Sequence, residues 1–318
     1  MKRRTFLFAA VGAGAVLWMG RPRDEGAPYD AYFRSLNEEL KNNGPMRPCM
    51  VVDLDLVDAN IAALRRSIRA PKHFRVVAKS LPSPKLIAYV AEKAATSRVM
   101  SFHQPFLNRI AEAYPASDVL LGKPLPVGSA RIFYGELRGA FDPSRQLQWL
   151  IDTPDRMRQY RELAEGLRTK LRVSIEIDVG LHRGGVGSEQ ALDAILRQIA
   201  EHPERLELAG FMGYDPHVVK LPRVLGSVED FFRQSIAAYQ GFVDFTRRRY
   251  AALWRDDLVL NGAGSPTYRL HEAETLLNDL SVGSALVKPT DFDVETLGEH
   301  VPAAFIATPV LKASEGVV

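Results

Sequence analysis

Lys79 is a residue whose type and neighbours suggest chemistry. It follows the mostly apolar segment 74–78 and precedes a Ser-Leu-Pro turn at 80–82, an arrangement typical of a buried strand that ends in a turn. Burial of its neighbours would partly desolvate the amine and lower its pKa, which keeps neutral amine available to attack a carbonyl group. The alternative is a surface lysine whose amine reaches water past its apolar stem.

Two turns rich in small residues form a candidate anion site. Each follows an apolar segment, so backbone N–H groups could approach an anion such as a phosphate closely. The candidate residues are Gly262, Gly264, Ser265 and Thr267 in the first turn, and Gly283 and Ser284 in the second. The alternative is that both are only tight connections between strands and helices.

Aromatic and imidazole side chains follow two further apolar segments. Tyr214 and His217 come just after segment 206–212, and His103 follows segment 98–102. An aromatic side chain in such a place can stack on a bound ring, and a histidine can transfer protons near neutral pH. The alternatives are that Tyr214 packs in the core and that His103 is structural.

Short apolar segments alternate with longer amphipathic ones from residue 49 onward, which is typical of repeated βα units around a parallel sheet. After an opening strand at 49–54, strands are predicted at 74–78, 98–102, 118–122, 147–151, 172–178, 206–212, 258–261 and 280–283. These eight strands favour an α/β fold with a closed (β/α)8 barrel over a doubly wound open sheet. Active-site groups of such a barrel lie at the C-terminal ends of the strands, where Lys79 and both turns are predicted to be.

Five segments resemble, in order, the motifs of a known family. They are residues 51–55 with Asn60 and Ile61, residues 175–180 continuing into 183–186, residues 210–214 with His217, residues 261–268, and residues 282–284. With Lys79, they resemble the alanine racemase N-terminal domain family of fold type III pyridoxal phosphate (PLP) enzymes. The resemblance is strongest to its D-threonine aldolase and D-serine dehydratase branch.

The resemblance implies how the candidate residues would bind PLP. Lys79 would carry the cofactor as a Schiff base, and the two small-residue turns would anchor its phosphate. Arg183 would hydrogen-bond the phenolic oxygen of the cofactor. An ion pair of Arg183 with Glu176 or Asp178 is the alternative.

The reaction implied is retro-aldol cleavage or dehydration of a small amino acid, most simply a D-β-hydroxy amino acid. Lys79, Tyr214 and His217 would be the catalytic residues, with Tyr214 also in contact with the cofactor. An amino-acid racemase is the nearest alternative. A non-catalytic protein that binds PLP or maintains its supply is an alternative from a different functional class.

The sequence departs from the family pattern in three places. Aldolase relatives usually have histidines where this chain has Val77 and Leu81, and a glycine where it has Asp215 and Pro216. Residues 291–318 resemble only the start of the β-rich second domain of the family. We therefore expect a barrel over 28–290 and a truncated second domain after it. The ligands of any divalent metal would lie in the missing part, and a homodimer is expected by resemblance alone.

Residues 1–27 have the layout of an export signal. Arg3 and Arg4 are followed one residue later by Phe6 and Leu7 and then by the apolar stretch 8–19, a pattern that resembles a twin-arginine signal. The apolar stretch is shorter than the roughly 20 residues of a membrane-spanning helix. We expect export to the periplasm through the twin-arginine machinery, with an uncleaved membrane anchor as the alternative.

The charge distribution excludes nucleic acid as a partner. The first 25 residues carry five basic and two acidic side chains, which accounts for the whole formal charge of +3. The rest of the chain is close to neutral and offers no basic face for phosphates. Cys49 is the only cysteine, so neither an internal disulfide nor a cysteine-based zinc cluster can form.

Overall fold

The computed structural model of the chain describes residues 28–81 and 83–312. The predicted signal segment 1–27 lies outside the described residues. Pro82 also lies outside them. So do residues 313–318, which are part of the predicted second-domain segment.

Eight parallel strands close into a barrel in chain order, with the last strand paired to the first. Strand β1, Cys49–Val52, lies outside the barrel. The barrel strands are β2 His73–Val77, β3 Arg98–Ser101, β4 Asp118–Leu121, β5 Leu147–Ile151, β6 Leu171–Glu176, β7 Leu206–Met212, β8 Val259–Gly262 and β9 Asp279–Val282. The predicted (β/α)8 barrel is therefore confirmed, and each predicted strand overlaps the observed one.

Helices follow most of the strands and begin at side chains that cap them. Ser83 accepts a hydrogen bond from the Leu86 N–H, and Pro84 occupies the first turn. Thr153 and Ser188 cap their helices in the same way. The described helices are α1 Ala31–Asn43, α2 Leu54–Ser67, α3 Pro84–Lys93, α4 Gln104–Ala113, α5 Val127–Glu136, α6 Pro143–Gln146, α7 Pro154–Leu167, α8 Glu189–Glu201 and α9 Val228–Arg249.

Charged side chains fill the barrel interior at the N-terminal ends of the strands. Arg75 is fully buried and holds the equally buried Asp279 through Nε to Oδ1 at 2.8 Å and Nη2 to Oδ2 at 3.2 Å. Asp118 pairs with Arg75 at 2.7 Å, and Arg98 pairs with Asp279 at 2.6 Å. The carboxylates offset the cost of burying the guanidinium and hold the pKa of Arg75 above its usual value.

The chain divides into two units. Residues 50–305 form one of them, and residues 28–49 with 306–312 belong to the other. Residues 50–52 of β1 and 304–305 of the last strand, β10 (Ala304–Ala307), lie in the first unit. The predicted boundaries after residues 27 and 290 remain predictions. None of the described helices is both long and apolar enough to cross a membrane.

Candidate active site

A pocket opens at the C-terminal ends of the barrel strands, in the position predicted for an active site. It encloses about 570 Å³, counting the space open to solvent. Most of the predicted site residues line it: Lys79, Arg183, Tyr214, Gly264, Ser265, Gly283 and Ser284. Side chains from the ends of β2, β6, β7, β8 and β9 thus come together here.

Lys79 lies in a single 3-10 turn, Ala78–Ser80, directly after β2. Its Nζ atom lies 4.5 Å from the centroid of the Phe102 ring, at the end of the neighbouring strand β3. Partial burial lowers the pKa of the amine, and the positive charges of Arg183 and Lys123 lower it further. The amine is therefore more easily deprotonated than an ordinary lysine, as a nucleophile toward a carbonyl group requires.

Arg183 is positioned by a loop that Asp178 organises. The carboxylate of Asp178 accepts hydrogen bonds from the N–H groups of Gly180 and His182, both at 3.0 Å, and from Nδ1 of His182 at 2.7 Å. Arg183 places its guanidinium carbon 4.9 Å from the centroid of the Tyr214 ring. Within residues 28–81 and 83–312, Arg183 forms no ion pair with Asp178 or with Glu176, so its charge is available to a ligand.

Glu176, at the end of β6, is a buried carboxyl group near the same cations. Burial raises its pKa, while the charges of Lys123 and Arg183 act in the opposite direction. A methyl group added at Gly185 would lie 3.1 Å from Cγ of Glu176, which shows how closely the loop covers this side chain.

The two small-residue turns are tied together by serine side chains. Oγ of Ser265 accepts hydrogen bonds from the N–H groups of Gly283 at 3.3 Å and Ala285 at 3.0 Å. Oγ of Ser284 lies 3.0 Å from Oγ of Ser80, the residue after Lys79. The N–H groups of Ser265 and Ser284 donate to no acceptor in the described part of the chain, so they are free to bind an anion.

Glycine is required in both turns. A methyl group added at Gly283 would lie 2.8 Å from both Cβ and the carbonyl oxygen of Val77, and one at Gly264 would lie 2.6 Å from the Tyr214 ring. Real Cβ atoms do not approach other atoms so closely. Gly283 therefore packs against Val77, and Gly264 against Tyr214, only because glycine has no Cβ atom.

Four predicted candidates lie outside the lining of the pocket. Gly262 packs against Leu277, and His103 caps α4 by accepting from an N–H group at 3.4 Å. Thr267 is fully buried, and its hydroxyl is hydrogen-bonded within the protein. His217 directs Nε2 toward Gly180, and its buried Nδ1 has no hydrogen-bond partner among the described residues.

Several lining residues were not predicted. Phe102, Ser80 and Ser281 line the pocket, and Phe292 reaches it from a 3-10 turn after the barrel. Phe102 and Ser281 lie at the end of a strand or in its second half, a position that signals the C-terminal face of a barrel. Their inward direction could be assigned only once the strand register was known.

No group of three or more His, Cys, Asp or Glu side chains is arranged to hold a metal ion within residues 28–81 and 83–312. The prediction that any metal ligands belong to the second domain is not tested by this finding.

The family model described as "Alanine racemase, N-terminal domain" matches residues 52–291. Solved structures of similar fold include an alanine racemase from Oenococcus oeni, 13% identical, with a TM-score of 0.63 over 82% of this chain and 70% of that one. A D-threonine aldolase from Filomicrobium marinum is 17% identical, with a TM-score of 0.65 over 81% and 68% of the two chains.

A third similar structure is D-threo-3-hydroxyaspartate dehydratase from Delftia sp. HT23, 19% identical, with a TM-score of 0.62 over 75% of this chain and 60% of that one. Similarity at these identities shows the fold alone. The chain spans 60% to 70% of the length of these three proteins. No curated protein sequence matches the chain significantly.

Proposed function

Because the chain belongs to the alanine racemase N-terminal domain family of fold type III PLP proteins, we propose that it is a PLP-dependent enzyme that acts on a small amino acid. The observation that carries the proposal is the amine of Lys79 in the barrel pocket, with its pKa lowered. The same pocket is lined by two turns that hydrogen bonds join and that offer free N–H groups.

The residues of the pocket fit this cofactor. Lys79 would hold PLP through Nζ, and the N–H groups of Ser265 and Ser284 would bind its phosphate. Arg183, which forms no ion pair with a carboxylate of the described residues, would supply the positive charge beside the cofactor's phenolic oxygen. Phe102 would cover the amine on one side.

The chain's own groups can move protons next to the cofactor. When bound, PLP supplies an electron sink that stabilises negative charge at the α-carbon of an amino acid. Lys79, whose pKa is lowered by burial and by the charges of Arg183 and Lys123, can accept a proton on Nζ when its amine is neutral. Burial raises the pKa of Tyr214, so its hydroxyl keeps its proton and can donate a hydrogen bond. Burial lowers the pKa of His217, which favours a neutral imidazole. This side chain lies outside the lining of the pocket, so its catalytic role stays a prediction.

The reaction we propose is retro-aldol cleavage or dehydration of a D-β-hydroxy amino acid. The family motifs support this choice, since in order and together with Lys79 they resemble the D-threonine aldolase and D-serine dehydratase branch most closely. Racemisation of a small amino acid is the alternative that uses the same pocket.

A turnover screen of the purified chain with PLP separates these reactions. The substrates are the D- and L-forms of threonine, serine and alanine. Retro-aldol cleavage of threonine gives glycine and acetaldehyde, dehydration of serine gives pyruvate and ammonia, and racemisation gives the opposite enantiomer. The Lys79→Ala variant is the control, and all product formation should stop in it.

Each result has a distinct meaning. Acetaldehyde or pyruvate from the D-substrates alone would support the proposed lyase, and the opposite enantiomer of alanine would support a racemase. Tight PLP binding without turnover of any substrate would support a binding protein. Absence of PLP binding would contradict the proposed function altogether.

We further propose that the protein is exported through the twin-arginine machinery and that it forms a homodimer. Replacing Arg3 and Arg4 by lysine should retain the full-length chain in the cytoplasm, measured by cell fractionation. Light scattering of the purified protein should give twice the 35.4 kDa of one chain, less any cleaved signal.

A further inference from the structure

A buried carboxylate lies directly behind the first small-residue turn. Asp215 follows Tyr214 at the end of β7 and is 2% exposed, and Thr267, just beyond the turn, is fully buried. Neither residue lines the pocket. Asp215 and Pro216 stand where relatives have a glycine before the motif histidine, and the resemblance assigns no role to Asp215.

The Thr267 hydroxyl joins this carboxylate to the turn. It donates to Oδ1 of Asp215 at 2.7 Å and accepts from the Gly264 N–H at 3.1 Å. A hydroxyl has one proton, so donation to Asp215 turns the oxygen lone pairs toward Gly264. Asp215 thus determines the direction in which the hydroxyl accepts.

The carbonyl group of Gly264, which shares a peptide unit with the Ser265 N–H, is held as well. The N–H groups of Thr267 and Tyr268 both donate to the Gly264 carbonyl, at 3.0 Å and 2.9 Å. The next residue is Ser265, whose own N–H is free and whose Oγ ties the two turns together. The position of the free N–H therefore depends on the hydrogen bonds around Gly264.

Asp215 is an anionic acceptor despite its burial. Desolvation by burial alone would raise its pKa, but the adjacent His271, whose Nε2 lies 2.8 Å from Oδ2, and the Thr267 hydroxyl bring the pKa below its usual value. A hydroxyl bound to a carboxylate is held more strongly than one bound to a neutral oxygen.

We infer that Asp215 and Thr267 are positioning residues that fix the Gly264–Ser265 turn as one half of the phosphate site. They act on a phosphate through the turn and do not touch it. The inference rests on the proposed function, because it assigns the turn to the phosphate of PLP.

The test compares two ligands that differ only in the phosphate. PLP and pyridoxal, which lacks the phosphate, are titrated into the full chain and its variants by absorbance. Thr267→Val removes the hydroxyl at nearly constant volume and should weaken PLP binding about tenfold, the usual cost of one net hydrogen bond. Pyridoxal binding should not change, and Thr267→Ser should restore the affinity for PLP.

A matched control is Thr246→Val in α9. Thr246 is also fully buried, and its hydroxyl donates to the Phe242 carbonyl at 2.9 Å, away from the pocket. This variant loses a buried hydroxyl but should keep the affinity for both ligands. If Thr267→Val does not fold, Asp215→Asn takes its place and should weaken PLP binding while leaving pyridoxal binding unchanged.

Three results would overturn the inference. They are unchanged PLP affinity in Thr267→Val, equal weakening of PLP and pyridoxal binding, and failure of Thr267→Ser to recover the affinity. Any of these leaves the proposed function intact if the unaltered chain binds PLP. An unaltered chain that binds neither ligand would instead overturn the proposed function together with the inference.

Discussion

The amine of Lys79 lies 4.5 Å from the centre of the Phe102 ring. The ring itself is held in place by the next strand, since a methyl group added at Gly122 would lie 2.5 Å from it. A cation over an aromatic face is favoured, whereas burial and neighbouring positive charges favour the neutral amine. Burial, Arg183 and Lys123 lower the pKa of Lys79 below its usual value.

Lys123→Gln should raise the pKa of Lys79 toward its ordinary value. The charge of Lys123 lowers that pKa, and Lys123 does not line the pocket, so the change acts through charge alone. A higher pKa leaves less neutral amine at a given pH. The rate at which PLP binds covalently, followed by absorbance over a range of pH, should therefore have its midpoint at higher pH.

The exposed Lys85 on α3 offers the control, since it does not line the pocket and is not among the charges that lower the pKa of Lys79. Lys85→Gln removes the same charge. Its pH profile should match that of the unaltered chain. A midpoint in Lys123→Gln that stays in place or moves to lower pH would contradict the electrostatic explanation.

Gly283→Ala should damage both stability and cofactor binding. The added methyl group would lie 2.8 Å from Cβ and from the carbonyl oxygen of Val77, so the second turn must move. Such overpacking costs about 1–3 kcal/mol of unfolding free energy. Urea unfolding should show this loss, and PLP titration should show weaker binding, that is, a larger dissociation constant.

Gly128→Ala in α5 is the matched control, because the added methyl group meets no atom within 4 Å. Alanine is the better residue in a helix, so this variant should be as stable as the original chain or slightly more stable. Equal unfolding free energies and equal PLP affinities in the two alanine variants would contradict the prediction that close packing at Gly283 matters for stability and cofactor binding.

Asp279→Asn should be strongly destabilising. It leaves Arg75, which is fully buried, without its bidentate carboxylate partner. Removing one partner of a buried ion pair costs about 3–5 kcal/mol. Breaking the exposed pair of Arg158 with Glu162 by Glu162→Gln should cost less than about 1 kcal/mol. Comparable urea midpoints for the two variants would contradict the importance of the interior ion pair.

The buried pair of His271 with Asp215 should make stability depend on pH. Burial opposes the charge on His271, but Asp215 and Glu274 prevail and raise its pKa above the ordinary imidazole value. Its contribution is therefore complete below the ordinary value and is lost as the pH rises through the raised value. Asp215, with its pKa lowered, contributes above the ordinary carboxyl value and stops contributing as the pH falls.

The difference in unfolding free energy between the unaltered chain and His271→Gln isolates this effect from other titrating groups. The difference should shrink as the pH rises above about 6.5, the ordinary imidazole value. A difference that stays constant across that range would show that His271 is not charged in the folded protein.

The barrel could be predicted because buried parallel strands are apolar and are separated by amphipathic segments. Val76 and Val119 illustrate this pattern, and both are fully buried. The interior ion pair could not be predicted, since Arg75 and Asp279 lie 204 residues apart and only barrel closure brings them together. Local sequence gives no register between the first and last strands of a barrel.

The candidate site was predicted from residue types, but side-chain directions were not. Thr267 was expected to offer its hydroxyl to an anion, and the structure shows that hydroxyl bound to Asp215 and Gly264. Its partner Asp215 lies 52 residues away in the chain, in the loop after β7, so no local pattern indicates it. The predicted roles of His217 and of the signal segment 1–27 remain predictions.

The most direct test of Lys79 as the PLP-binding residue is reduction of the PLP-loaded protein with borohydride, followed by peptide mapping. We expect an absorbance band near the visible edge that disappears on reduction, with the cofactor fixed to the peptide that contains Lys79. Lys79→Ala should carry no adduct, and Lys123→Gln should keep it. An adduct on another lysine, or a protein that shows no band with PLP, would contradict the assignment.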